Sequence, residues 1–226
     1  MRRCAIVPAL DEESTIAAVV RGALGAADEV LVVDNGSRDR TADEARNAGA
    51  RVIHETRRGY GSACHAGARA APPASLLLYL DGDGSEDPSA LDLLAVPVLA
   101  GEADLVLGAR HEPEPGALAA HQLAANRAVA AIVRRRWKLP ITDLGPMRCI
   151  SRERLLSLDM RSRASGWPVE MVVKAARAGL AVREVAVPAR RRAGGRSKVS
   201  GSLSGSLRAG VHSGAALLRH GAGPRP

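Results

Sequence analysis

The first 110 residues alternate short apolar runs with stretches in which apolar residues recur at helical spacing. The apolar runs are typical of buried strands and lie at residues 4–8, 29–34, 51–54, 75–80 and 104–108. Between them the pattern predicts helices starting near Ile16, Thr41, Gly59 and Pro88, with Thr41 as a cap and Pro88 at a first helical position. Strands that are apolar throughout and alternate with helices predict an α/β fold, with a mostly parallel central sheet covered by helices on both faces.

The second half of the chain has a different pattern. A long helix is predicted over residues 117–137, ending in three arginines, and another begins at Pro168 and stops at Gly179. A strand is predicted over residues 182–187, followed by the basic sequence ARRRAGGRSKVSG. Residues 202–226 form a Gly- and Ser-rich tail with leucines at near-helical spacing, which predicts at best a weak amphipathic helix.

Composition restricts the class of protein. The 226 residues are 46% hydrophobic and 25% charged, which are globular values and exclude wholesale disorder. Three widely spaced cysteines without a CxxC pair argue against a disulfide framework or a structural zinc site, and favour a reducing compartment. The N-terminus does not resemble a secretory signal, and no window reaches the roughly 18 uninterrupted apolar residues of a membrane span. We expect a cytoplasmic protein, either soluble or peripheral at the inner face of the membrane.

Charge divides the chain into two halves. The formal net charge is +8, but residues 1–110 contain 11 basic and 17 acidic side chains, whereas residues 111–226 contain 21 basic and 7 acidic ones. The net charges are therefore −6 and +14, which indicates two tasks along one chain. A basic half of this kind can bind a nucleic acid, but aromatics are only 2% of the chain. Single-strand binding normally uses aromatic stacking platforms, so we expect no nucleic-acid partner.

The pair Asp81 and Asp83 is the sharpest chemical feature, because it follows the most apolar predicted strand directly. Side chains two residues apart in an extended segment face the same way, so both carboxylates can approach one hard cation. The alternative is a solvated turn, since Asp-Gly is a common turn pair. Ligands of parallel sheets bind beyond the carboxyl ends of the strands, and this position favours a metal site.

Other candidates have structural alternatives that remain open at the sequence level. Asp34 ends another strand and can accept hydrogen bonds from a nucleobase or ribose, or act as a helix cap or form an Asx turn. Glu170 lies on an otherwise apolar helix and is either a buried base or a solvated side chain. The segment 190–198 is either a solvated basic patch or a flexible loop whose guanidinium groups bind phosphate.

Eight segments in order resemble a known family. They are VPALDEESTI, VVDNGSRDRT, RGYGSACHAG, YLDGDGSEDP, DLVLGAR, TDLGPMR, GWPVEM and RRRAGGRSKVSG, within residues 4–201. This set is similar to the family 2 inverting glycosyltransferases with a GT-A fold, and in particular to the dolichol-phosphate mannose synthase-like and polyprenyl-phosphate glucosyltransferase-like branch. The resemblance implies one GT-A domain over residues 1–201, with a nucleotide-binding half (1–110), an acceptor-side half (111–201) and a tail (202–226).

The resemblance also implies roles for individual residues. Asp81 and Asp83 match the DxD motif, which holds Mg²⁺ or Mn²⁺ against a nucleotide-sugar diphosphate, and Arg148 matches an arginine that faces a donor or acceptor phosphate. The positions implied for substrate binding are Pro8, Ala9, Glu12, Asp34, Gly59, Arg192, Ser197 and Lys198. Two departures are Ser85, where relatives often have a glutamine, and Asn35, where they have a second aspartate.

The implied activity is metal-dependent transfer of a hexose from a GDP-mannose or UDP-glucose type of donor. The expected acceptor is a polyprenyl or dolichyl phosphate at a membrane surface, which is an anion and needs no strong general base. A small hydroxyl acceptor, such as a sugar or phosphoglycerate, would need a carboxylate to take its proton, and Glu170 and Asp143 are the candidates. A protein that binds nucleotide sugars without turnover is a further alternative.

Overall fold

The computed structural model describes residues 1–111, 114 and 120–190. In the first half the elements are β1 (Arg2–Ala9), α1 (Ile16–Leu24), β2 (Glu29–Asp34), α2 (Thr41–Asn47), β3 (Arg51–His54), α3 (Tyr60–Ala70), β4 (Ser75–Tyr79), a 3-10 turn (Pro88–Ala90), α4 (Leu91–Leu99) and β5 (Leu105–Arg110). Each strand and helix predicted over residues 1–110 is present, with ends that shift by one or two residues.

The second half adds α5 (Ala120–Trp137), β6 (Arg148–Ser151), α6 (Arg152–Ser157), α7 (Trp167–Arg177) and β7 (Val182–Val187). The pattern of apolar residues did not predict β6 or α6, because each is too short to show a period. Residues 117–119 of the predicted long helix and the whole tail, 202–226, lie outside the described residues. Within the described ranges, none of the helices has the length and apolar character needed to cross a membrane.

The strands described form one sheet in the order β3-β2-β1-β4-β6-β5-β7. All neighbouring strands pair in parallel except β6, which is antiparallel to both β4 and β5. The mostly parallel sheet predicted from the sequence is therefore confirmed. Because β6 runs against its neighbours, it begins at the edge where β4 and β5 end, and Arg148 pairs with Tyr79 and Leu107 there.

Helices cover both faces of the sheet, as predicted. One core layer packs α3, α5, α6 and α7 against the sheet and contains the fully buried Trp167, whose ring lies 5.0 Å from that of Tyr79 and 6.3 Å from that of Tyr60. The other layer packs α1 and α4 against the opposite face, where small side chains such as Ala23 and Ala95 allow close approach. The polar turns at the carboxyl edge therefore follow strands that are held in place by a packed core on both faces.

The role predicted for Thr41 as a cap of its own helix is wrong. Arg40 is the residue before the first turn of α2, and its side chain makes no capping hydrogen bond. The Thr41 hydroxyl instead accepts a hydrogen bond from the backbone N–H of Glu12 at 2.7 Å and donates one to the Asp39 carboxylate. Thr41 thus ties the loop after β1 to the loop after β2, because both loops leave the same edge of the sheet.

Candidate active site

The loop that follows β4, at the centre of the carboxyl edge, contains four acidic residues and is here called the acidic loop. They are Asp81, Asp83, Glu86 and Asp87. Asp83 is 5% exposed, and one of its carboxylate oxygens accepts a hydrogen bond from the backbone N–H of Ser85 at 2.9 Å. Glu86 is 4% exposed and accepts hydrogen bonds from the backbone N–H of Asp81 at 3.0 Å and from the Ser85 hydroxyl at 3.1 Å. Glu86 therefore holds the turn that presents Asp81 and Asp83. The sequence analysis missed this residue, although it stands inside the YLDGDGSEDP segment.

The loop is strongly electronegative. Burial, and then the negative charges of Asp81 and Asp83, raise the pKa of Glu86 well above its ordinary value. Carboxylate oxygens are the ligands that Mg²⁺ and Mn²⁺ prefer, so the chemistry of this donor set fits a divalent cation. Across the described part of the chain, no three His, Cys, Asp or Glu side chains are grouped closely enough to hold a metal by themselves. A cation here would draw its remaining ligands from substrate phosphate and water.

The chain leaving β7 is fastened to the same loop. Ala189 forms a β-bridge with Glu86, and the backbone N–H of Arg190 donates to the Ser85 carbonyl at 2.9 Å. The Arg190 guanidinium reaches the Asp87 carboxylate at 2.5 Å. The described part of the basic segment therefore begins at the acidic loop. Three residues predicted to bind substrate, Arg192, Ser197 and Lys198, lie outside the described residues.

The predicted nucleotide-side residues lie at the ends of β1 and β2. Ala9 pairs in register with Asp34, and the Ala9 carbonyl accepts the Asn35 N–H at 3.0 Å. Glu12 is 8% exposed and lies in the loop that follows β1. In the same loop, the Thr15 hydroxyl donates to the carbonyl of Gly82 at 2.8 Å. The structure therefore joins the loop after β1 directly to the acidic loop after β4.

Asp34 is 6% exposed and its two carboxylate oxygens have different partners. One oxygen accepts the Ser37 N–H at 2.9 Å, and the other lies 3.1 Å from Nδ1 of His54 at the end of β3. The bond from the Ser37 N–H reaches three residues along the backbone, one residue more than an Asx turn. It orients Asp34 at the carboxyl edge, and it does not exclude contact with a nucleoside.

Asn35 and Gly59 fix the loop between β3 and α3. The Asn35 amide donates to the carbonyls of Glu55 and Arg57, both at 2.9 Å, and its oxygen accepts the Gly59 N–H at 2.7 Å. Gly59 has φ 131°, and a Cβ there would meet the Arg163 carbonyl oxygen at 2.2 Å. Asparagine therefore has a structural function here that an aspartate, which has no amide N–H to donate, could not supply.

Arg110 and Asp143 form a bidentate ion pair at the end of β5. Nε and one terminal nitrogen of Arg110 lie 2.7 and 2.9 Å from the two carboxylate oxygens, which also accept the Arg110 backbone N–H at 3.0 Å and the Asn126 amide. Burial alone would raise the pKa of Asp143, but Arg110 lowers it below its ordinary value. Asp143 is therefore a weak base. Arg110 adds a cation whose field reaches Glu86 and Asp81, and the sequence analysis did not identify it.

Arg148 lies beneath the carboxyl edge and is fully buried. Its guanidinium donates to the carbonyls of Gly145, Pro146 and Pro168, and it packs over the Trp167 ring with its central carbon 5.8 Å from the centroid. Burial lowers its pKa below the usual value for arginine. These contacts join the loop before β6 to the start of α7. The structure therefore gives Arg148 backbone partners, and its role towards a phosphate stays a prediction.

Glu170 is fully buried on α7, so the solvated alternative is wrong. Its carboxylate accepts the backbone N–H groups of Arg161 at 2.8 Å and Ser162 at 2.6 Å, and it pairs with Lys174 at 2.9 Å. Burial alone would raise the pKa of Glu170, but Lys174 and the two N–H groups lower it. These partners hold the loop between α6 and α7, and a lowered pKa weakens Glu170 as a proton acceptor.

Comparison with known proteins shows which sequences this chain resembles. The family model described as glycosyl transferase family 2 matches residues 4–154. An uncharacterised glycosyltransferase of Mycobacterium tuberculosis (strain H37Rv) is 43% identical over 206 residues, which cover 89% of this chain and 91% of that protein. The undecaprenyl-phosphate mannosyltransferase of Micrococcus luteus is 30% identical over 224 residues, covering 91% of this chain and 90% of the relative.

The fold is also that of solved glycosyltransferases. Glucosyl-3-phosphoglycerate synthase from Mycobacterium tuberculosis, in complex with Mn²⁺, UDP-glucose and phosphoglyceric acid, superposes with a TM-score of 0.82 at 24% identity. The match covers 99% of this chain and 80% of that one. The GT-A architecture predicted from the sequence is confirmed.

Proposed function

The chain belongs to glycosyl transferase family 2, and we propose that it is a metal-dependent inverting hexosyltransferase that uses a nucleotide-diphosphate sugar as donor and a polyprenyl phosphate as acceptor. The observation that carries this proposal is the acidic loop after β4. There, Glu86 holds the backbone of Asp81, the Ser85 N–H holds the carboxylate of Asp83, and the Thr15 hydroxyl joins Gly82 to the loop after β1. Metal-binding and nucleotide-binding candidates thus occupy one edge of the sheet.

Asp81 and Asp83 are the residues proposed to hold Mg²⁺ or Mn²⁺. A cation bound there would offset the negative charge that develops on the leaving nucleoside diphosphate. In this proposal the rigid turn made by Ser85 and Glu86 keeps the two carboxylates in position before the donor arrives. Preorganisation of this kind avoids the cost of rearranging charged groups during the reaction.

The donor nucleoside is proposed to lie along the ends of β1, β2 and β3. Backbone groups at Pro8 and Ala9, with the carboxylates of Glu12 and Asp34, supply hydrogen-bonding groups for the base and ribose, and Gly59 leaves space beside them. The diphosphate would face the acidic loop, where the described basic segment begins at Arg190. Arg192, Ser197 and Lys198 follow within eight residues in the sequence and are proposed to contact the diphosphate oxygens.

A polyprenyl phosphate acceptor is supported by the state of the two candidate bases. A hydroxyl acceptor needs a carboxylate that can take its proton. Asp143 is held by Arg110, Glu170 is held by Lys174 and two backbone N–H groups, and both have lowered pKa values. A phosphate oxygen is already an anion near neutral pH and needs no such base. The similarity to the undecaprenyl-phosphate mannosyltransferase of Micrococcus luteus supports the same acceptor class.

A small phosphorylated hydroxyl acceptor is the second candidate. The fold is shared with a glucosyl-3-phosphoglycerate synthase, whose complexes hold Mn²⁺, UDP-glucose and phosphoglyceric acid. This alternative keeps the donor and metal chemistry and changes only the acceptor.

Thermal unfolding with a panel of donors tests the proposed nucleotide-sugar donor and its dependence on a metal. A ligand that binds only the folded chain must raise the melting temperature. We expect either GDP-mannose or UDP-glucose, but not both equally, to raise it in the presence of Mn²⁺ or Mg²⁺ and to lose most of the effect in EDTA. Transfer of labelled sugar to polyprenyl phosphate, compared with 3-phosphoglycerate, then assigns the acceptor. No shift with any nucleotide sugar and no transfer to either acceptor would contradict the proposal.

A further inference from the structure

Helix α5 lies directly against the proposed active site through one of its faces. Asn126 donates a hydrogen bond from its amide to the carboxylate of Asp143, which in turn holds Arg110 at the end of β5. Ala130 and Val133 on the same side of α5 are buried in the core. The inner face of the helix is therefore fixed to the site and to the body of the protein.

The outer face of α5 carries positive charge without compensating acids. Residues 115–142 contain five basic side chains and no acidic one. With 3.6 residues per turn, the exposed positions of the helix fall on one half of its surface. These exposed residues are Ala124, Ala125, Arg127, Ala128, Ile132, Arg134 and Arg135, followed by Lys138 just past the helix end.

These cations differ from most exposed arginines elsewhere in the described structure. Arg2, Arg40, Arg46, Arg51, Arg154 and Arg183 each form an ion pair with a carboxylate. Within residues 1–111 and 120–190, no ion pair involves Arg127, Arg134, Arg135 or Lys138. The surface formed by these four cations and Ile132, which is 51% exposed, is here called the α5 basic face.

We propose that the α5 basic face docks on an anionic lipid surface. Clustered basic side chains on an interfacial helix are attracted to acidic headgroups, and an exposed apolar side chain such as Ile132 can enter the headgroup layer. The face offers no exposed aromatic ring on which a nucleobase could stack, since Trp137 is partly buried beneath Arg136. Charge together with an apolar side chain favours a membrane over a nucleic acid.

Docking in this way would place the Arg110–Asp143 pair one helix diameter, ~10–12 Å, from the lipid surface, because Asn126 on the opposite side of the helix bonds to that pair. A polyprenyl phosphate presents its phosphate at the headgroup layer. The role of this docking in reaching a lipid acceptor rests on the proposed function, whereas binding of the α5 basic face to an anionic lipid surface does not.

Sedimentation of the full chain with lipid vesicles tests the inference. We expect binding to vesicles of phosphatidylcholine with 30% phosphatidylglycerol, on the order of physiological anionic content, and much weaker binding to phosphatidylcholine alone. Each basic residue near an anionic surface contributes roughly fivefold in affinity, so Arg127→Gln/Arg135→Gln is expected to weaken binding about 30-fold. Raising the salt concentration should weaken wild-type binding in the same direction.

A matched control distinguishes an effect of the α5 basic face on vesicle binding from an effect of total charge. Arg21→Gln/Arg154→Gln removes the same two charges from exposed positions outside α5 and should bind vesicles like the wild type. Ile132→Ser, which leaves the charge unchanged, should also weaken binding. Equal binding by the α5 double variant and the control, or equal binding to anionic and neutral vesicles, would overturn the inference. Oligonucleotide binding that depends on Arg127 and Arg135, without vesicle binding, would also overturn it in favour of a nucleic acid.

A second readout keeps this inference separate from the proposed function. Transfer to a short-chain, water-soluble polyprenyl phosphate needs no membrane, so Arg127→Gln/Arg135→Gln should retain it while losing activity on vesicle-embedded acceptor. Vesicle binding without any transfer by the wild type would contradict the proposed function and leave the docking surface in place.

Discussion

At the scale of single residues, Glu86 is the side chain on which the geometry of the acidic loop depends. Its carboxylate accepts hydrogen bonds from the Asp81 N–H and from the Ser85 hydroxyl, and it is almost fully buried. Removing an acceptor leaves a buried N–H unsatisfied, which costs about 1–3 kcal/mol. Residues that orient metal ligands in this way typically change metal affinity by about 10–100-fold when they are replaced.

We therefore expect Glu86→Ala to lower the free energy of unfolding by about 1–3 kcal/mol and to weaken Mn²⁺-dependent donor binding about 10–100-fold. Urea denaturation and titration calorimetry measure the two effects. Glu102→Ala, which removes an exposed acid paired with Arg183, is the control and should change neither quantity appreciably. Identical behaviour of the two variants would show that Glu86 does not organise the loop.

The residue scale also shows where sequence reasoning succeeded and where it failed. The position of Asp81 and Asp83 at the carboxyl edge could be predicted because strand ends of parallel sheets share one edge, and their role as metal ligands stays a prediction. The tertiary partners of Arg148 and Glu170 could not be predicted, because no sequence pattern places the first turn of α7, with Pro168, beside Arg148. The N–H groups that hold Glu170 come from Arg161 and Ser162, in a loop without a periodic pattern. These partners give Arg148 and Glu170 a structural function, and the catalytic roles expected of both residues stay predictions.

At the scale of elements, the close packing of α3 on the sheet depends on a glycine. Gly67 lies in the middle of α3, and a Cβ at this position would come within 2.4 Å of Cγ2 of Ile6 and 3.2 Å of Cγ2 of Val33. Both neighbours are fully buried in β1 and β2. The helix, whose first turn follows Gly59, therefore sits as close to the sheet as its backbone allows.

Gly67→Ala is expected to lower the free energy of unfolding, although alanine has the better helix propensity by about 1 kcal/mol. The strain of an overpacked core, about 1–3 kcal/mol, opposes that gain and should exceed it because both neighbours are buried β-branched side chains. Urea denaturation measures the change. Gly25→Ala, at a right-handed helical φ of −70° with a single contact at 3.3 Å, is the control. A stabilised Gly67→Ala protein would contradict the packing described for α3.

Element prediction was accurate where the apolar pattern is long or strong. The strands β1, β2, β4 and β5 stand out because they are largely buried on both faces, whereas β3, at the edge of the sheet, is only partly buried. The ends of these strands could be placed to within two residues. The strand β6 was missed because four residues, RCIS, carry no alternation, and its antiparallel position between β4 and β5 is decided by tertiary pairing. The sequence therefore predicted a parallel sheet without the one reversed strand that brings Arg148 beneath the site.

At the scale of the whole molecule, the three cysteines report on the integrity of both core layers. Cys4 and Cys64 lie in the layer with α3 and α7, Cys149 lies in the opposite layer, and all three are 0% exposed. Burial raises the pKa of the Cys4 thiol to about 12, and it raises the pKa values of Cys64 and Cys149 as well. The reactive thiolate is therefore almost absent from the folded chain near neutral pH.

We expect Ellman's reagent at pH 8 to label none of the three thiols within the mixing time while the chain is folded, and all three after denaturation in urea. Native-state labelling should proceed only through opening of the core, so its rate should rise with sub-denaturing urea. Rapid labelling of one or more thiols in native buffer would show that a core layer is open.

The charge asymmetry also acquires a structural meaning at this scale. The acidic half contains the loop after β4 and the carboxylates near the ends of β1 and β2. The basic half contains helix α5, which contacts the Arg110–Asp143 pair through Asn126, and the basic segment that begins at Arg190. In the proposed function, this division separates a side that binds the metal and the nucleotide from a side that binds anionic groups.

The most direct test of the central claim is metal-dependent sugar transfer by an Asp83 variant. The assay follows labelled hexose from the donor chosen by thermal unfolding to polyprenyl phosphate, with Mn²⁺ or with EDTA. The control is Asp92→Asn, which replaces an exposed acid on α4. Both this variant and the wild-type protein should transfer sugar only when the metal is present. Asp83→Asn should keep its cooperative unfolding and lose at least about 100-fold in rate. Transfer by Asp83→Asn at the wild-type rate, or undiminished wild-type transfer in EDTA, would contradict the account.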